Sequence, residues 1–500
     1  MKEKLKNKYI IIGILMLIFN ILLLLDIYNF NINLRFIISL FFEIIIVLFL
    51  YKFLYKRKTL LENKFIISFF VIGLFYLFLF PIGSLPDEIN HFMRGYEISK
   101  GDLISSKCKT KTNKPFGCTD ITPEIEKAII KNDATYSGIK KSLNYKYNST
   151  SKKNKVGFNN ISFYSFICYT PQAIGILLGR LLHLPILIWA YLARLFNFIF
   201  FVFLLCFSVK KIPYKKEYVM FISLLPITIQ EAISMAADCM AIGSSLALIC
   251  YVLSLIESKD KINKNNIIIL FLLSFLLSMS KLVYLPCVLI LILIPSSKFK
   301  SVKSKYLILG CLTFVIGILN LLWLNVASDF LSSIEGAADS ALQTKFIMHN
   351  PIRFLIIILN SIIVHFDWYF ESMIGVSLGL FSINPSKIYI KLDILIFIFM
   401  LLFSNEKKIK NNIKIVSLLI FIIVVCLIFT SLYLDWTVVG NNLVEGVQGR
   451  YFTPILLYLI LCLSTTNFTI KNNNIINKQN MLLFMVFENI YIITLIFSSY

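Results

Sequence analysis

The chain has 500 residues, of which 58% are hydrophobic and 15% charged, with a formal net charge of +22. A soluble protein of this length must cover its surface with more polar groups than that, so a soluble globular fold is excluded. The positive charge is not a nucleic-acid footprint either, because the lysines sit in short runs between apolar segments and no basic stripe carries interleaved aromatics.

Apolar runs near bilayer length recur along the chain, and lipid leaves a peptide group no partner outside its own helix. Lys2, Lys4, Lys6 and Lys8 precede an apolar run at 9–25. No small-residue cleavage site follows, only Asp26-Ile27-Tyr28-Asn29, so an uncleaved first span with a cytoplasmic N-terminus is expected. A second span is expected at 36–51 and a third at 65–80. The polar stretch 81–160 then reads as a large outer loop; long loops cross regardless of their charge. Further spans are expected at 186–207, 218–229, 235–255, 267–279, 282–294, 306–326, 388–403, 415–432, 451–463 and 481–497. Lysines at 210–216, 259–264, 298–305 and 407–410 fall in the turns that the positive-inside rule places in the cytoplasm. Two apolar segments, 161–182 and 352–370, break this alternation and are expected to lie at or dip into the outer face.

The expected fold is an all-α integral membrane protein, a polytopic helical bundle of about 11–14 transmembrane helices with a large outer loop. Its divisions are an N-terminal pair of spans at 1–64, a main membrane domain at 65–467 that includes the loop 81–160, and a last span at 468–500. Eight of the ten cysteines lie in apolar segments, where a thiol is a small hydrophobe. Cys108 and Cys118 instead share the outer loop, where an exported pair at short spacing closes a disulfide.

Polar side chains at a membrane are costly and mark candidate sites. After the third span comes Pro86-Asp87-Glu88-Ile89-Asn90-His91-Phe92-Met93-Arg94. On a helix Asp87, His91 and Arg94 share one face with Glu88 beside them, a set that can bind a metal or accept a proton from a hydroxyl. The same residues also fit a helix start with local ion pairs. On the same side fall Arg180, Arg194 and Asn197, then Asp238, then Lys281 with Tyr284, and finally Gln448-Gly449-Arg450-Tyr451. Each cation alone fits an interfacial anchor, whereas several beside carboxylates describe a pocket for an anionic lipid. Glu43 and Glu488, within spans, are expected to serve packing through hydrogen bonds.

These residues resemble the bacterial membrane-protein family called domain of unknown function 2142. The likeness rests on Pro86-Asp87-Glu88 with His91 and Arg94, Tyr169-Thr170-Pro171-Gln172, Gly179-Arg180, Arg194-Leu195-Phe196-Asn197 and Ala237-Asp238. It continues through Ser280-Lys281 with Tyr284 and Pro286, Ala338-Asp339, Gly375 with Gly379, and Gln448-Gly449-Arg450-Tyr451-Phe452. That family is similar in turn to GT-C glycosyltransferases. The resemblance implies a GT-C-like membrane domain that transfers a sugar from a polyprenyl-phosphate carrier to an envelope polysaccharide or other acceptor outside the membrane. Asp87, Glu88 and His91 would be catalytic. Arg94, Arg180, Arg194, Asp238, Lys281, Tyr284, Gln448, Arg450 and Tyr451 would hold the carrier phosphate and substrate. No Asp-x-Asp motif is present, so the cofactor is unassigned, with a divalent metal as the one such carboxylates would take. The implied location is the bacterial cell membrane, and the implied partners are membrane lipid, the carrier-linked sugar and its glycan acceptor. A transporter or flippase for an envelope lipid is the alternative.

Overall fold

The computed structural model describes residues 60–109, 115–158, 161–330, 338–402, 408–464 and 478–500, together with 14–23 and scattered positions between 25 and 47. Helices dominate, as the apolar pattern requires. Six are long and apolar enough to cross a bilayer unaided: Leu61–Leu79, Ile186–Lys211, Asp238–Glu257, Val302–Ala327, Asn411–Asp435 and Lys478–Ser499. Asp238–Glu257 is almost wholly enclosed and forms the axis of the bundle, whereas Val302–Ala327 leaves most of its apolar surface facing outward. Leucines such as Leu321 and Leu322, exposed in water, would be costly; against acyl chains they are not.

The ends of these segments alternate between two faces. At one, Lys216 pairs with Glu62 and Lys478 with Glu217. At the other, Ile186 donates its N–H to the Tyr145 carbonyl of the loop, and Lys281 pairs with Asp238. Lys264–Ser280 and Lys387–Leu402 are shorter regular helices. Three spans expected as plain helices are instead interrupted, which corrects the reading at 218–229, 282–294 and 451–463. Lys216–Leu224 stops before Pro226–Ile233, Leu282–Leu293 winds as a 3-10 helix around Pro286, and Gly449–Ile455 is 3-10 around Pro454 before Leu456–Leu463. Proline supplies no N–H and its ring collides with the preceding turn, so the α-helical ladder fails at each.

Of the two N-terminal spans, an apolar helix is described over Ile14–Leu23; most of the remainder falls outside the described residues. Asn20 there donates to Glu43 at 2.7 Å and to the Phe487 carbonyl at 3.1 Å, so Glu43 is hydrogen-bonded to a side chain that also holds the last helix.

The loop 81–160 is a folded lobe. Helix Glu88–Ser99 leads into an antiparallel sheet of three strands, β1 (Ser106–Lys109), β2 (Pro115–Ile121) and β3 (Asn154–Phe158), in the order β1-β2-β3. Cys108 and Cys118 are joined by a disulfide that ties β1 to β2. Phe92, Tyr96, Ile121, Ile129 and Phe158 fill the core of the lobe, which continues through Trp189 and Met240 into the bundle. The segment 161–182 becomes the helix Thr170–Leu181, which presents Ile174, Leu177, Leu178 and Leu181 outward at helical spacing. Its inner face meets Ile186–Lys211 so closely that a Cβ on Gly175 would stand 2.4 Å from the Leu192 carbonyl oxygen. Pro351–Val364 repeats the pattern with Ile352, Leu355, Ile356 and Leu359 exposed, and meets Ser340–His349 at 109°. An apolar stripe on a helix turned this sharply suits a segment lying in the bilayer interface.

Candidate functional site

The motif Pro86-Asp87-Glu88 divides as the helix begins. Asp87 takes a left-handed conformation (φ 55°), which aspartate tolerates better than most residues, and its carbonyl accepts from the His91 N–H at 3.0 Å. Its side chain does not cap the helix and is 59% exposed. Glu88, one residue on, turns inward and is fully buried. Its two oxygens accept from Arg194 Nε at 2.6 Å and Nη2 at 2.7 Å, and the Gly83 N–H adds a third bond at 2.7 Å. Arg194 spends its remaining donors on the carbonyls of Leu77, Phe80 and Pro81. These carbonyls belong to the end of Leu61–Leu79 and the turn beyond it, so the pair stitches that helix end to Ile186–Lys211. A guanidinium has five N–H groups, and all five are engaged, which leaves Arg194 none for a phosphate.

Two other expected cations are also committed to the lobe. Arg94 donates to Glu97 at 2.6 Å and to the Leu103 carbonyl at 2.6 Å, while Glu97 also accepts from Ser105 and the Ser106 N–H. Arg180 bonds the Ser99 carbonyl and hydroxyl and lies over the Tyr96 ring. Asn197 holds the Ser234 carbonyl at 2.7 Å.

The remaining candidates converge. Lys281, at the break between Lys264–Ser280 and the 3-10 segment, donates to Asp238 at 2.6 Å. Asp238 begins its helix, where the exposed peptide N–H groups favour a negative charge. The Lys281 ammonium lies 4.9 Å from the Tyr451 ring centre and 5.7 Å from that of Tyr164. Arg450 stands over the other side of the cluster, 3.8 Å from Asp87, 3.5 Å from Glu231 and 5.4 Å from the Tyr451 ring centre. Charge-assisted bonds are normally 2.7–2.9 Å, so both contacts are loose. Its Nε has no hydrogen-bond partner although it is buried. The Tyr284 hydroxyl fixes the neighbouring backbone by donating to the Tyr451 carbonyl at 2.8 Å. Gly449 makes this placement feasible: a Cβ there would lie 2.2 Å from the Met373 nitrogen. Gln448 precedes it as the cap of the 3-10 turn.

His91 is buried, with Nδ1 2.8 Å from the Tyr169 hydroxyl. Burial pushes its pKa down to about 4; Asp87 and Asp238 pull it upward, while Lys281 and Arg450 hold it down. The imidazole is therefore neutral at ordinary pH and feels all four charged groups. The cluster thus joins Asp87, His91, Asp238, Lys281, Arg450 and Tyr451, and leaves Glu88, Arg94, Arg180 and Arg194 in the scaffold. Glu231, Tyr164 and Tyr169 belong to it and were not foreseen as site residues. Glu231 carried one usable signal, a Gln230-Glu231 pair at the end of an apolar run seven residues before Asp238. Among the described residues no three His, Cys, Asp or Glu side chains group closely enough to hold a metal ion.

A folded lobe on an apolar bundle, with a charged cluster where helix ends meet beneath it, defines a multi-pass membrane protein. The chain belongs to the family described as predicted membrane protein (DUF2142), which it matches over residues 69–459. That span contains every member of the cluster. Neither a curated protein nor a solved structure matches it.

Proposed function

We propose that the protein is a membrane glycosyltransferase of GT-C type, which moves a sugar from a polyprenyl-phosphate carrier to an envelope glycan or other acceptor on the lobe side. The supporting observation is that Arg450 stands 3.8 Å from the exposed Asp87 and shares the Tyr451 ring with Lys281, which is paired to Asp238, so that two cations and two carboxylates from separate parts of the chain form one cluster. In the step proposed, an acceptor hydroxyl oxygen attacks the anomeric carbon and gives its proton to Asp87. The bond from that carbon to the carrier phosphate breaks, and its electron pair leaves with the phosphate. Lys281 and the loosely held Arg450 stabilise the charge that develops there, as fixed cations in a water-poor site do best. His91, neutral and held by Tyr169, positions the acceptor. Glu88 and Arg194 keep the helix ends in register and take no chemical part. On this reading the lobe lies outside a bacterial cell membrane, and the lysine-rich turns and N-terminus lie in the cytoplasm.

One observation favours a second reading. Interrupted helices beside charged residues are also how transporters build their sites, so a flippase for an envelope lipid fits the breaks at Pro226, Pro286 and Pro454. Mass spectrometry of envelope glycans from cells with and without the gene separates the two. A transferase predicts a glycan lacking one sugar and an accumulating carrier-linked donor; unchanged glycan structures with a precursor held on the inner leaflet would replace it with the flippase.

A further inference from the structure

The face opposite the lobe carries a crevice of about 500 Å³ that the proposed transfer does not use. It lies where Leu282–Leu293 ends and where Val302–Ala327 and Asn411–Asp435 begin. Ile292, Ile413 and Val416 give it apolar walls, and Lys305, Lys410 and Asn412 stand at its polar end.

Lys305 is 6% exposed; its ammonium lies 5.4 Å from the Tyr306 ring centre and makes one hydrogen bond, to the Ile292 carbonyl at 2.8 Å. An ammonium carries three N–H groups, so two remain for a ligand. Among the described residues no carboxylate pairs with Lys305 or Lys410, and no Asp or Glu lines the crevice. A cation placed this deep against hydrocarbon is costly until an anion joins it. The walls lead outward to Ile292 and Ile415, which are 52% and 57% exposed, and on along Leu419 and Ile422, one helical stripe toward the bilayer. We propose that this crevice binds one phospholipid with an anionic headgroup. The phosphate sits between Lys305 and Lys410, the glycerol region fills the cavity, and the acyl chains run along the Ile415, Leu419 and Ile422 stripe. Neither end alone selects such a ligand: the lysines would take any phosphate and the stripe any lipid, but together they select a lipid with net negative charge.

The test uses the full-length protein, purified in detergent and stripped of lipid. It is titrated with phosphatidylglycerol, with phosphatidylcholine of the same chains, and with inorganic phosphate, while native mass spectrometry counts bound lipid and a thermal melt reports stabilisation. One phosphatidylglycerol should be retained above the phosphatidylcholine background, and its affinity should fall roughly tenfold or more in K305Q/K410Q. K410Q alone changes an exposed residue, so it should fold normally and show part of that loss. Equal retention of the two lipids, or wild-type affinity in both variants, overturns the proposal. So does stabilisation by inorganic phosphate equal to that by phosphatidylglycerol, which would make the ligand a soluble anion. Glycan transfer at Asp87 has no part in these readouts, so the two proposals stand or fall separately.

Discussion

Asp87 and Glu88 are consecutive acids with opposite fates. Glu88 lies inside, with both oxygens taken by Arg194 and a peptide N–H. Asp87 stands at the lobe face with one loose cation, Arg450, at 3.8 Å. The same contrast separates the cations. Arg194 has five ordinary hydrogen bonds, whereas Arg450 has two long contacts and a buried Nε without a partner. A saturated buried pair resists rearrangement, and a polar cluster with spare donors can exchange its partners for a ligand. Charge at a membrane surface thus marks scaffold and site alike; Arg450 differs from Arg194 in the length of its contacts, since an unpaired buried Nε is also found on the scaffold residue Arg94.

Four changes would break or sharpen this contrast. The largest effect is expected at Asp87. D87N keeps its size but cannot accept the proton, so transfer should fall about 10²–10⁴-fold with the thermal midpoint unchanged. Next is the pin. R194A strands the Glu88 carboxylate in the interior and should cost about 3–5 kcal/mol, read as a lowered melting temperature and poor accumulation in membranes. If R194A were as stable as the parent, the pin would not be structural.

His91 gives a third, pH-dependent effect. Its folded pKa of about 4 lies below the usual 6.5, so between those values the unfolded chain binds a proton that the folded chain refuses. Stability should be level above pH 6.5 and fall by about 3 kcal/mol as pH drops toward 4. Thermal melts of H91N across pH 4–7 should lack that component; an identical slope would show that His91 is not the group responsible. The smallest effect is the lobe disulfide. Opening a bridge over ten residues removes roughly 2–3 kcal/mol of local constraint. C108S/C118S should make the lobe easier to proteolyse while leaving transfer intact, and loss of transfer would show that the sheet positions the cluster.

Much of the bundle was legible because its cause is local: apolar length and flanking lysines are written at each span. The segments 161–182 and 352–370, which broke the alternation of faces, hold the helices Thr170–Leu181 and Pro351–Val364, each with an outward apolar stripe. The interruptions had a signal that the expected spans passed over: the runs 218–229, 282–294 and 451–463, which hold Pro226, Pro286 and Pro454, are shorter than the roughly 20 residues a helix needs to cross. Most cluster members were visible as polar residues at one face. Which of them were free was not, because Arg194 and Lys281 look alike in sequence as cations beside apolar runs. Their difference lies in partners 106 and 43 residues away. Glu231 was hidden for the same reason, its cation Arg450 being supplied from the far end of the chain.

In the proposed transfer Asp87, rather than its neighbour Glu88, is the reactive carboxylate. This assignment is tested most directly by mass spectrometry of envelope glycans from cells whose only copy is D87N, with membrane protein brought to wild-type level. The transferred sugar should be lost, as in cells without the gene, from a protein that folds and accumulates normally. Full modification of the glycan by D87N at that level would contradict the assignment.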